Sequence, residues 1–246
     1  MAISDLEVSI IIPAYNEERR LPRALERIRD YLAARKLAAE VIVVDDGSTD
    51  GTARVAEEWR ERIPSLRLVS NGRNRGKGYS VRHGMLEARG RIALFTDADL
   101  SAPIEEADKL FAALGDGDVA IGSRAVDRSL IEVHQSRFRE VAGILYNLLV
   151  RLITGLPFVD TQCGFKAFVM PKCRVIFEQQ RIERFGFDPE ILFLAKHHGL
   201  RAVEIPVRWA HDPHTKVNVY LDSLNMFGDL FRIRWNWLAS RYPRPK

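Results

Sequence analysis

The sequence predicts an α/β fold built on a mostly parallel sheet flanked by helices. Three observations carry this expectation. Short β-branched runs alternate with amphipathic stretches up to about residue 122, the runs are apolar enough to be buried on both faces, and each is followed by a polar cluster. VSIII (8–12) leads into a stretch in which Leu21, Leu25, Ile28 and Leu32 recur every three or four residues, which marks one buried helix face. VIVV (41–44) precedes a helix over 52–63, LRLV (66–69) one over 78–88, and IALF (92–95) one over 104–114. DVAIG (118–122) closes the series. At 246 residues the chain has room for one large domain, and 46% hydrophobic with 28% charged residues excludes a disordered chain.

In open α/β sheets the ligand lies at the carboxyl ends of the strands. Here those ends read PAYNEE, DDGSTDGT, NGRNRGKG, TDADLS and GSR. PAYNEE is not the GxGxxG of a dinucleotide-binding domain. GRNRGKG is not a P-loop, because only three residues separate Gly72 from Gly76 and no Ser or Thr follows Lys77. Asp97 and Asp99, one residue apart at a strand end, point to opposite faces of an extended chain, so they serve one site only if the chain turns; small Ala98 permits that turn. Such close charges are costly unless a cation compensates them, and Mg²⁺ is commonly held by one or two carboxylates plus substrate phosphates. An isolated pair of this kind also serves as a solvated turn that caps the following helix, so the other strand ends must decide.

The charge is unevenly spread. Residues 1–120 carry 18 Lys and Arg against 21 Asp and Glu, whereas residues 121–246 carry 19 against 12, so an anionic partner is expected on the second half. Within it, residues 136–155 read as a helix with more apolar positions than one narrow face needs, flanked by Arg137, Arg139 and Arg151. The last stretch sets Phe227, Phe231, Trp235, Trp237 and Tyr242 among five cations with no acid after Asp229. Segments of this composition lie in the interfacial plane of anionic membranes. The bases accompany apolar helices rather than stacked aromatics on a sheet, which disfavours nucleic acid as a partner. The acidic N-terminus, with an apolar run ended by Pro13, reads as neither secretory leader nor membrane span. Cys163 and Cys173 stand in no zinc-binding spacing, and His198, His211 and His214 lack the pairing of a zinc helix, so a reduced, cytoplasmic location without structural metal is expected.

The motifs PAYNE, DDGSTDGT, NxGKG, DADL, GSR and DTQCGFK, in this order from about Val8 to Lys216, resemble the family 2 inverting glycosyltransferases of GT-A fold. Within that family the chain is most similar to the enzymes that glycosylate a polyprenyl phosphate, the dolichyl-phosphate β-glucosyltransferases and dolichol-phosphate mannose synthases. DTQCGFK (160–166) followed by RFGFDPEILFLA (184–195) resembles the glucosyl branch more than the mannosyl one. The resemblance implies a GT-A, Rossmann-like domain over 1–220, with a nucleotide-sugar half (1–122) and an acceptor half (123–220). Residues 221–246 then form a basic aromatic tail of amphipathic interfacial helix.

It also implies roles. Pro13, Tyr15, Glu17, Asp46, Lys77, Asp97 and Lys216 match donor-binding positions, Asp46 being the acid that contacts the base. Asp97 and Asp99 match the acids of the metal site for Mg²⁺ or Mn²⁺, with Asp99 the principal ligand. Asp97, Asp99 and Asp160 match catalytic positions, Arg124, Arg137 and Arg139 the grip on a lipid phosphate, and Asp188 and Glu190 sugar-hydroxyl binders. Ser101 stands where many relatives carry Gln, and neither Arg-Trp pair (208, 234) has the upstream Gln of the processive QxxRW motif, which favours transfer of a single sugar. The expected donor is UDP-glucose, with GDP-mannose or a non-lipid acceptor as the alternative. The expected location is the cytoplasmic membrane face, with self-association left open.

Overall fold

The structure, a computed structural model, describes residues 6–211 and 219–243. Seven strands form one sheet in the order β3-β2-β1-β4-β7-β5-β8. They are β1 Val8–Ala14, β2 Ala39–Asp45, β3 Leu66–Ser70, β4 Ile92–Thr96, β5 Val119–Ser123, β7 Phe165–Val169 and β8 Ala202–Pro206. A pair of short strands, β6 Ile131–Val133 and β9 Trp209–Ala210, lies apart from it. The helices are α1 Leu21–Arg35, α2 Thr52–Trp59, α3 Lys77–Glu87, α4 Ala107–Ala113, α5 Arg137–Thr154, α6 Met170–Gln179, α7 Phe187–His197 and α8 Val219–Leu238. All five predicted strands are present. The helix predicted over 104–114 begins as a 3₁₀ turn, Ile104–Glu106, and continues as α4.

Successive side chains of a strand point to opposite faces, so an all-apolar strand must be covered on both sides. β1 shows the consequence. Ile10 and Ile12 join one core cluster with residues of α1, α2 and α4, while Ile11 joins the other with residues of α3, α6 and α7. Each fully buried aliphatic side chain of this kind contributes roughly 1.5–3 kcal/mol.

Four strands, β6 to β9, lie beyond the predicted alternation, and β7 matters most for the site. β7 lies between β4 and β5 and runs antiparallel to both, with Thr96 opposite Phe165 and Ile121 opposite Lys166. Its leading segment, 160–164, therefore arrives at the carboxyl ends of β4 and β5.

α8 runs unbroken across the boundary expected at residue 220. Leu230, Ile233 and Tyr242 are buried in the second core cluster, and the Trp237 ring meets Phe193 edge-on at 5.8 Å and lies 4.0 Å from His197. Leu230, Ile233, Trp237 and Tyr242 of the expected membrane-associating tail thus pack on the domain along one face. No helix among the described residues is long and apolar enough to cross a membrane.

Candidate active site

The turn foreseen at Ala98 exists. Leu100 N–H donates to the Asp97 carbonyl at 3.0 Å, with Leu100 itself at φ 49°, and both carboxylates come to line one cleft. That cleft, of about 190 Å³, is also lined by Pro13, Tyr15 and Glu17 after β1, Asp46 after β2, and Lys77 at the start of α3. Six of the seven expected donor positions are therefore together; Lys216 lies outside the described residues.

The cleft is braced from below. Glu17 accepts two 2.6 Å bonds from Arg20, whose guanidinium also lies 3.8 Å from Asp99. Asp46 does more than the expected contact with a base. It accepts from Asn71 Nδ2 and Arg75 N–H on Oδ1 and from Gly76 N–H on Oδ2, so it pins the loop that presents Lys77 and keeps one lone pair on Oδ2 for a ligand. Lys77 Nζ sits 2.6 Å from Asp97 Oδ1. Burial opposes the Lys77 ammonium, but the carboxylates of Asp97 and Asp188 outweigh it and hold its pKa above the usual lysine value. Gly164, at the head of β7, has no room for a side chain: a Cβ there would lie 2.2 Å from Asp97 Oδ2.

Asp99 is less well compensated. Burial and then the neighbouring Asp97 charge raise its pKa above the ordinary carboxylate value, against a bond from Ser101 N–H at 2.9 Å. A desolvated acid beside a second acid, with Arg20 no nearer than 3.8 Å, suits a bound cation. No group of three or more His, Cys, Asp or Glu side chains able to hold a metal occurs among the described residues. Asp97 and Asp99 thus fit the kind of site in which substrate phosphates and water complete the shell.

A second cavity, of about 120 Å³, opens beyond β5 and is walled by α5. Arg124 and Asp160 lie in its lining and form a fork, Nε to Oδ2 at 2.7 Å and Nη2 to Oδ1 at 2.8 Å, with the Arg124 backbone N–H adding a third bond. Burial disfavours the Asp160 charge, but Arg124 overrides it and brings the carboxyl to about 2. Both Asp160 oxygens are thereby taken up by Arg124, and Arg124, whose guanidinium also lies 5.3 Å over the Trp209 ring, has its fork already engaged. Arg139 lines the cavity and Arg137 does not, although the two stand two residues apart on α5. Arg128, which the motifs did not mark, lines it too and reaches Glu140 at 2.6 Å.

Two sugar-binding expectations change. Glu190 is fully buried and accepts from Arg181 N–H, Ile182 N–H and Tyr242 Oη, so its carboxylate is occupied inside the core, where burial raises it to about 7. Asp188 is buried against Lys166, a lysine with no solvent exposure that also donates to the Cys163 carbonyl at 2.6 Å. Asp188 acts on the cleft through its charge, which helps hold Lys77 protonated. The signal for Lys166 was in DTQCGFK, but sequence could not say that the lysine points inward.

A mostly parallel sheet ending in paired carboxylates, beside an arginine-lined cavity at the same strand ends, defines a group-transfer enzyme of the open α/β class. Residues 9–168 match glycosyl transferase family 2, and the chain belongs to that family. It is 39% identical to a dolichyl-phosphate β-glucosyltransferase of Drosophila melanogaster, over 96% of this chain and 77% of that protein. It is 33% identical to a protein of the same name from Homo sapiens, with the same coverage. Among solved structures it is similar to glucosyl-3-phosphoglycerate synthase from Mycobacterium tuberculosis in complex with Mn²⁺, UDP-glucose and phosphoglyceric acid. That match has a TM-score of 0.65 and 20% identity, over 99% of this chain and 82% of that one, and the likeness concerns the fold.

Proposed function

We propose that this chain transfers a single glucose from UDP-glucose to a polyprenyl phosphate, with inversion, at a membrane surface. The observation that carries the reading is the meeting of two unlike clefts at the same strand ends. The donor cleft ends in Asp97 and Asp99, the neighbouring cavity is lined by arginines, and the segment 160–164 joins them. The names of the relatives, dolichyl-phosphate β-glucosyltransferases, support both glucose and a lipid phosphate acceptor.

In this reading Tyr15 packs against the base or ribose, Glu17 and the remaining Asp46 lone pair accept nucleoside hydroxyl or N–H groups, and Lys77 serves the diphosphate. Asp99, with Asp97, would hold Mg²⁺ or Mn²⁺, which when bound offsets the negative charge of the departing nucleoside diphosphate. Arg139 and Arg128 hold the acceptor phosphate, and the Arg124–Asp160 fork fixes the cavity wall. A phosphate monoester has its second pKa at about 6, so the acceptor arrives as a nucleophile. Alignment and charge stabilisation then suffice without a general base.

The membrane part rests on α5 and α8. Val141, Ile144, Leu145, Leu148 and Leu152 form one exposed stripe, and Leu224, Phe227, Phe231, Trp235 and Leu238 another, on two helices in contact. With Arg151, Arg232 and Arg234 on the same helices, they suit attachment to the surface of an anionic bilayer at its cytoplasmic face.

The test is a panel of UDP-glucose and GDP-mannose, each incubated with polyprenyl phosphate or a soluble phosphate and with Mg²⁺ or Mn²⁺. Lipid-linked glucose from UDP-glucose is expected. A mannosyl lipid alone, or transfer to the soluble acceptor at the same rate, would overturn the assignment.

A further inference from the structure

A third cleft, of about 340 Å³, lies between the first turns of α3 and the connection from α6 to α7, and it shares no lining residue with the other two. We infer that it is a binding site for a phosphate monoester that carries a neighbouring hydroxyl. It is independent of the transfer reaction assigned above.

Three guanidiniums, Arg75, Arg82 and Arg181, line this cleft against one carboxylate, Glu183, which Arg75 already engages at 2.5 Å. Arg82 and Arg181 have only carbonyl partners among the described residues. Arg82 Nε donates to the Phe177 carbonyl and Arg181 Nη2 to that of Arg241, both at 2.8 Å. A carbonyl fixes a guanidinium in place without neutralising it, and each arginine has five N–H donors in a planar fork that matches phosphate oxygens. Arg75 is held as well, 3.6 Å over the Tyr79 ring. The cleft thus presents ordered cations in excess of its one acid, which favours an anion.

Gln180 is the independent observation. It is 5% exposed, its Nε2 donates to the carbonyls of Gly78 and Ile182, and its Oε1 is buried with no partner. Those two bonds fix the amide so that the orphan atom is an acceptor. Buried polar atoms are ordinarily paired, and an acceptor calls for a donor from the ligand, which a hydroxyl beside the phosphate supplies and a bare phosphate oxygen does not.

The test uses the full chain, isotope-labelled for amide NMR, titrated with inorganic phosphate and with glycerol 1-phosphate. Saturable shifts are expected at the amides of Arg75, Tyr79, Arg82 and Gln180 to Glu183, with glycerol 1-phosphate at least threefold tighter. The double variant Arg82→Gln, Arg181→Gln should weaken both ligands at least tenfold while its other amides stay in place, which shows that it folds. Absence of shifts at these amides, or wild-type affinity in the double variant, overturns the site. Equal affinity for the two probes overturns the role given to Gln180. Vesicles of phosphatidylcholine and phosphatidylglycerol, matched in charge, with and without lysophosphatidic acid, whose phosphate monoester has a hydroxyl beside it, separate the sources. Loss of the lysophosphatidic acid dependence in the double variant assigns the phosphate to a lipid headgroup, and indifference of vesicle binding to it, with glycerol 1-phosphate still saturating the wild type, assigns it to a soluble compound.

Discussion

At the scale of single residues, the same kind of carboxylate does three different jobs according to what surrounds it. Asp99, desolvated and beside Asp97, is poised for a cation; Asp160 is locked by Arg124; Glu190 is absorbed into the core. Asp97 and Asp99 were legible only in company, because the pair alone also serves as a solvated cap and it was the polar clusters at the other strand ends, in motif order, that pointed to a shared site. The fate of Glu190 was not legible, since its partners come from the turn at 181–182 and from Tyr242, far along the chain. Asp99→Asn should reduce transfer at least a hundredfold with an unchanged melting temperature, since it weakens a cation site at a cleft surface rather than the core. Near wild-type turnover would refute its role. Asp160 makes a prediction about pH. Its carboxyl is held at about 2 against an ordinary 3.8, so its ionised form stabilises the fold above about pH 4, and that contribution is lost as the pH falls toward 2. The loss over that range corresponds to roughly 2 kcal/mol. In urea unfolding at a series of pH values, Asp160→Asn should flatten the loss of stability between pH 4 and 2 by about that amount. An unchanged slope would mean the fork contributes little.

At the scale of elements, the strands and helices before residue 123 were readable because each obeys its own period and the two periods alternate. β7 was not. Its antiparallel place between β4 and β5 is a property of pairing, and FKAFV alone does not disclose its neighbours. α8 was half legible: its aromatic and basic composition pointed to an interface, while the division of that composition between two faces needed the partner helix. Trp235 is 62% exposed, whereas Trp237 packs on Phe193 and His197. The two tryptophans should therefore behave differently. Trp235→Glu, combined with Phe231→Glu, should lower sedimentation with anionic vesicles severalfold and leave the melting temperature unchanged. Trp237→Ala should cost stability, on the order of 3 kcal/mol in denaturant unfolding. Equal vesicle binding by the Trp235 and Phe231 variant would mean that the stripe covers another protein surface, such as a second copy.

At the scale of the whole molecule, the negative excess of residues 1–120 and the positive excess of residues 121–246 are reflected in two clefts, one ending in paired carboxylates and the other lined by arginines. Composition announced that division, and GSR and SRFR announced which half carried the arginines. Which arginine enters the cavity was decided by the pitch of α5: Arg139 lines it and Arg137, two residues earlier, does not. The most direct test of this division is the steady-state kinetics of Arg139→Ala, set beside Arg137→Ala, with each substrate varied in turn. Loss of a charged hydrogen bond costs about 1.5–3 kcal/mol. The KM for polyprenyl phosphate should accordingly rise roughly ten- to hundredfold in Arg139→Ala and change little in Arg137→Ala, with the KM for UDP-glucose the same in both. A raised KM for UDP-glucose with unaltered use of the lipid would contradict the assignment of one cleft to the donor and the other to the acceptor.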